Sequence, residues 1–187
     1  MTVDVLFIAA SCRIETQGYG LIWPGPPTAE GFVKLNGQQV FHSDTSSWAS
    51  WVPARGVNTF LIDPNACSVI EENHYDTFAD SGAAPLLKAY LDNLPDNSLL
   101  VVVSCDEPSA RLSDALSTLA GLGADVADVQ FRGAFTFVAK KGTPSMTLLD
   151  KVLTQQDSQT MQPVIDAIVQ GRTLASNAGL LIYCLVN

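Results

Sequence analysis

The segment Leu99-Leu100-Val101-Val102-Val103-Ser104 restricts what this chain can become more than any other. It carries no charge and is rich in β-branched residues. Turn formers fence it on both sides, Asp96-Asn97 before and Asp106-Glu107-Pro108 after. A run of that length and composition reads as a strand rather than a helix. Because it is apolar at successive positions instead of alternate ones, it needs cover on both faces. The sequence therefore predicts a central strand inside a mixed α/β arrangement.

The neighbouring segments supply that cover. Leu86, Leu87, Tyr90, Leu91 and Leu94 form one apolar stripe behind Asp80-Ser81, which predicts a capped helix stopped by Pro95. Leu112, Leu116 and Leu119 predict a second helix over Ser109 to Ala120, with Gly121 and Gly123 closing it. Asn36-Gly37 joins two short apolar runs and predicts a hairpin with a type I′ turn. Val3 to Ala9, Val57 to Ile62, Ser68 to His74, Val129 to Phe131, Ala134 to Ala139 and Leu180 to Val186 read as further strands. Met146 to Thr154 and Met161 to Gln170 read as helices, with a seam near Thr143-Pro144.

Composition narrows the function. A net charge of −9, with 19 acidic against 10 basic side chains, repels phosphate backbones and argues against nucleic-acid binding. No apolar run reaches the roughly 18 residues of a membrane span, and no basic cluster is placed to grip a membrane surface. The N-terminus lacks the positive region of a signal peptide. Cys12, Cys67, Cys105 and Cys184 are an even set with wide spacing and no C-x-x-C pair. They allow three disulfide connectivities, or four buried thiols. If Leu180 to Val186 lies beside Val3 to Ala9, Cys12 comes near Cys184.

Enzyme signatures are absent: there is no G-x-S-x-G elbow, no phosphate loop and no H-E-x-x-H helix. The two histidines, His42 and His74, are too few for most histidine-based metal sites. Cys105 sits at a strand tip, but Asp106 and Glu107 beside it would raise rather than lower a thiol pKa. Glu71 and Glu72 point to opposite faces of a strand and cannot share a substrate. Asp106-Glu107 stands at the carboxyl end of the central strand, where open α/β sheets place ligands. The expectation is a non-catalytic chain with no cofactor and no metal.

From Arg55 to Gly142 the order of motifs resembles the interleukin-like epithelial–mesenchymal-transition inducer family, also called pancreatic-derived-factor-like. The same module forms the stem domain of the protein O-mannose N-acetylglucosaminyltransferase and occurs in hyaluronan-binding surface proteins. The pieces are Arg55-Gly56-Val57-Asn58, Leu61-Ile62-Asp63-Pro64, Tyr75-Asp76-Thr77-Phe78-Ala79, Leu94-Pro95-Asp96-Asn97-Ser98, Asp106-Glu107-Pro108-Ser109, and Phe131-Arg132 through Lys141-Gly142. The hairpin Gly31 to Phe41 is similar too. The resemblance implies one compact domain of β-sandwich-like sheets flanked by helices over residues 1–143. Residues 144–187 follow as a helical extension ending in a strand and packed on the same domain.

The resemblance further implies an extracellular, secreted protein that works by binding. In the sugar-binding relative, an acidic residue after the central strand and an arginine before the last strand hold the ligand. Asp106 and Arg132 occupy those places here, with Glu107 and Phe135 beside them. A carboxylate accepts from sugar hydroxyls while a guanidinium donates in a fixed fork. Phe135 stands where the family has a tryptophan, and Gly133 where it has an acidic residue. The leading expectation is a carbohydrate-binding, lectin-like module, in which a homo-oligomer would gain avidity. The alternative is a cytokine-like signal that meets a protein receptor through Trp48 and Trp51.

Overall fold

The computed structural model describes residues 11–20, 29–44, 54–152, 164–170 and 182–184. In chain order the elements are β1 (Ser11–Gln17), β2 (Tyr19–Gly20), β3 (Glu30–Leu35), β4 (Gln38–Asp44), β5 (Gly56–Asp63) and β6 (Ser68–Tyr75). Then come α1 (Ala83–Asn93), β7 (Leu99–Asp106), α2 (Leu116–Gly121), β8 (Ala134–Lys140), β9 (Leu148–Val152), β10 (Val164–Gln170) and β11 (Ile182–Cys184). One antiparallel sheet runs β11-β10-β1-β3-β4. The other runs β6-β5-β7-β8-β9, and β2 pairs in parallel with β7.

β7 is the central strand that its composition predicts, buried at all eight positions. Leu99, Val101, Val103 and Cys105 face the other sheet, among Ile14, Val33, Ile165 and Val169. Leu100 and Val102 face the helices, among Leu87, Leu91 and Leu119. The strand's two-residue period thus divides its apolar run between two cores. The result is a mixed α/β, sandwich-like domain: two packed sheets with two short helices against one of them. Burying each Val or Leu is worth about 1.5–3 kcal/mol, so the run anchors both layers. A buried polar contact joins the sheets as well: Thr16 and Thr136 hydroxyls lie 2.9 Å apart, and Thr136 donates to the Val102 carbonyl at 2.9 Å.

The Asn36-Gly37 turn forms as expected, with φ of 50° and 79° between β3 and β4. Helix α1, strands β5 and β6, and strand β8 also stand where the sequence puts them. Val3 to Ala9 lies outside the described residues, as do Trp48 and Trp51.

Four expectations are corrected. Residues 148–152 and 164–170 are strands, not helices. In β10, Ile165, Ala167 and Val169 are buried on the core side, while Asp166 turns out to a two-pronged pair with Arg13 at 2.9 and 2.7 Å. That is a period of two, and pairing with β1 decides it. Val129 to Phe131 is not a strand but part of a turn whose Gly133 amide donates to the Gln130 carbonyl at 2.8 Å. The second helix begins later than expected, at Leu116 after a 3₁₀ turn over Ser113–Ala115.

The fourth correction is covalent. Cys12 is bonded to Cys67, across a Cα–Cα distance of 5.1 Å, and not to Cys184. β10 lies between β1 and β11, which separates Cys12 from the terminal strand. Cys105 is a buried free thiol. The Cys12–Cys67 bond ties β1 in one sheet to the β5–β6 turn of the other, closing a sequence separation of 55 residues. A loop of that size is worth about 4 kcal/mol in the chain-entropy account. Replacing both cysteines by alanine should therefore lower the unfolding free energy in urea by about that amount. Non-reducing peptide mapping should yield one crosslinked peptide containing Cys12 and Cys67; a Cys12–Cys184 peptide instead would refute the pairing.

Candidate functional site

The carboxyl end of β7 meets the turn before β8, and side chains from five segments converge there. The backbone is unusual first. Asp106 and Arg132 both sit in the left-handed region, at φ of 63° and 65°, where glycine is the low-strain choice. Gly20 of β2 packs so closely that a Cβ on it would lie 2.1 Å from the Arg132 carbonyl oxygen. Tight backbone packing and two non-glycine residues in a glycine conformation coincide at one place.

Glu107 organises this junction from beneath. It is fully buried, and one carboxylate oxygen accepts from the Ser109 amide at 2.7 Å, the Ser109 hydroxyl at 2.6 Å and the Ala110 amide at 3.0 Å. The other oxygen accepts from the backbone amide of Arg132. A buried carboxylate needs such donors to offset its lost hydration. Its consequence is positional: Glu107 locks the turn on which Arg132 stands.

Arg132 donates from Nη1 to Asp106 Oδ1. Burial pushes the Asp106 carboxyl up, Arg132 and Arg55 pull it back, and neighbouring Glu107 adds to the rise. The Arg132 guanidinium lies 5.0 Å from the centre of the Phe131 ring and 5.8 Å from that of Phe78. Phe78 and Phe131 are 6.4 Å apart, and Phe131 is 57% exposed. Arg55 lies over the Phe78 ring at 4.7 Å and holds Asp76 with two bonds of 3.0 and 2.6 Å. Arg111 donates to the Phe78 carbonyl. Two arginines thus stand against these rings and a third holds the Phe78 backbone, on a chain whose net charge is −9.

Of the residues expected at the site, the structure brings Asp106 and Arg132 into contact. Glu107 lies below the surface with its carboxylate occupied. Phe135 is fully buried in the core on the helix side, against Phe137, and offers no face to a ligand. β8 is covered on both faces: no position before Lys140 is exposed. Cys105 is buried behind Asp106, and burial drives its thiol well above the ordinary range. Sequence reasoning missed Phe78, Phe131 and Arg55 as surface groups. The available signal was the pairing of Val57 with Tyr75, which sets Arg55-Gly56 beside Asp76-Thr77-Phe78 at one sheet end. No three His, Cys, Asp or Glu side chains gather as a metal site among the described residues.

The Arg55–Asp76 pair holds this end together. Burial works against the Asp76 charge, but the Arg55 bonds and the amides of Ala79 and Phe78 keep its carboxyl below the usual carboxylate range. A lowered carboxyl stabilises the fold above its unfolded pKa, and that stabilisation is lost as pH falls through the folded value. Arg55→Met should cost about 1–2 kcal/mol at pH 7, between the values for exposed and buried pairs. The gap to the parent should narrow below about pH 4, as urea denaturation at both pH values would measure.

The comparisons agree with this layout. Residues 55–143 match the model of the interleukin-like EMT inducer family. The chain is 31% identical over 101 residues to protein FAM3D of Mus musculus, covering 53% of this chain and 44% of that protein. It is 33% identical over 100 residues to the human cell migration-inducing and hyaluronan-binding protein, covering 52% of this chain and 7% of the relative. The chain thus spans less than half the length of these curated relatives.

Proposed function

Because residues 55–143 belong to the interleukin-like EMT inducer family, we propose that this chain is a cytokine-like extracellular signal that engages a protein partner by binding, not catalysis. The docking surface is the ring of arginines around Phe131 and Phe78. One observation carries the reading: Phe131 stands more than half exposed beside an Arg132 that a buried carboxylate aims and a strained backbone retains. Exposed aromatics and arginines are the residue types that dominate binding energy at protein interfaces. The Cys12–Cys67 bond supports an oxidising, extracellular setting. No helix among the described residues is long and apolar enough to cross a membrane.

A carbohydrate ligand is the second reading, favoured by the Asp106–Arg132 pair beside an exposed ring. A polar fork next to an aromatic platform suits a sugar as well as a peptide. The human relative is named for binding hyaluronan, an acidic polysaccharide that the three arginines would complement.

Labelled chain bound to receptive cells separates the two. Protease treatment of the cells should abolish saturable binding, and enzymatic removal of surface glycans should leave it intact; the reverse pattern overturns the protein-partner reading. Phe131→Ala should weaken binding about thirtyfold, the scale of a hot-spot residue. Arg132→Gly removes the side chain while relieving its positive φ, so binding should fall with unfolding free energy changed by no more than about 1 kcal/mol.

A further inference from the structure

Asn36 is the one asparagine of the chain that a glycine follows. Glycine puts no side chain beside its own nitrogen. The Gly37 amide is therefore the least hindered nucleophile that can close a five-membered ring on a preceding asparagine side chain. Both residues are exposed at the tip of the β3–β4 hairpin, at φ of 50° and 79°. A Cβ built on Gly37 would meet nothing within 4 Å, so water and hydroxide reach the turn.

Hydrogen bonds separate Asn36 from its rivals. Ser98, Ala66 and Leu94 follow Asn97, Asn65 and Asn93, and each commits its amide. Ser98 donates to the Pro95 carbonyl, Ala66 to Asp63 Oδ1 and Leu94 to the Tyr90 carbonyl, all at 3.2 Å. The Gly37 amide makes no hydrogen bond among the described residues. Asn97 shares the left-handed conformation, at φ of 68°, so backbone angle alone does not distinguish the two sites.

The Asn36 side chain is held at its oxygen. The Arg13 amide donates to Asn36 Oδ1 at 2.9 Å, and the Asn36 amide donates to the Arg13 carbonyl at 2.8 Å. This exchange continues the β1–β3 ladder one step past Ile14 and Leu35. A donor on Oδ1 draws electrons from Cγ and stabilises the oxyanion formed there on attack, as backbone amides do in an oxyanion hole. Nδ2, the leaving nitrogen, makes no hydrogen bond among the described residues.

We propose that Asn36 is a self-modification site, the asparagine at which this chain deamidates first. Hydroxide removes the Gly37 amide proton, the nitrogen bonds to Asn36 Cγ, and the Cγ–Nδ2 bond breaks. Nδ2 leaves as ammonia with a proton from water, which regenerates the hydroxide. Water then opens the succinimide ring at either carbonyl. Opening at Cγ leaves an aspartate, which keeps an oxygen for the Arg13 amide. Opening at the backbone carbonyl leaves an isoaspartate, whose main chain runs through Cγ and loses that contact. Either product adds one negative charge, and the isoaspartate loosens β3 from the strand that carries Cys12. The site does not depend on the Phe131 surface.

Storage of the full chain in mildly alkaline buffer, followed by peptide mapping with mass detection, tests this. Amide-to-acid conversion at Asn36 should precede that at every other asparagine, quicken with hydroxide, and yield separable aspartyl and isoaspartyl peptides. Ser98→Gly supplies a second Asn-Gly pair whose amide is already hydrogen-bonded. In that variant Asn97 should still lag Asn36 by about fivefold, the cost of first breaking one amide hydrogen bond. Equal rates at the two sites would mean that sequence alone decides, and would overturn the structural assignment. Absence of conversion at Asn36, or earlier conversion of any other asparagine, overturns the proposal outright.

Discussion

β7 has no solvent-facing side, and the other layers are arranged to meet that constraint. A strand apolar on both faces requires one layer over its even positions and another over its odd ones. Helices α1 and α2 supply the first, and the sheet of β1, β3, β4, β10 and β11 supplies the second. The Cys12–Cys67 bond and the Thr16–Thr136 contact then hold the second layer to the first. With both faces covered, β7 can expose functional groups only at its ends. The candidate surface occupies its carboxyl end for that reason.

At that end the demands of burial and of recognition pull against each other. Asp106 and Arg132 keep side chains in a backbone conformation that favours glycine, and the Glu107 carboxylate is fully buried. Each is tolerable because a neighbour compensates. Glu107 takes four donors, Asp106 takes the guanidinium, and Gly20 yields the room that the Arg132 carbonyl needs. Strain of this kind persists where the surrounding structure over-determines it. What it yields is an arginine aimed beside an exposed ring, a surface suited to binding.

Much of the fold was legible in the sequence because it depended on local signals. The unbroken apolar run of β7, the stripe of α1 and the Asn36-Gly37 turn each announce a structure that neighbours along the chain can specify. The Asp106–Arg132 contact was legible only through the family resemblance, since no local pattern relates residues 26 positions apart. Tertiary structure decided the rest. Residues 148–152 and 164–170 are strands because sheet edges were there to pair with, and short apolar runs take the period their neighbours impose. Cys12 met Cys67 because the sheets stack, a distance that spacing does not encode. Phe135 is core and Phe131 is surface because Phe135 lies within β8, which is covered on both faces, while Phe131 lies in the turn before it.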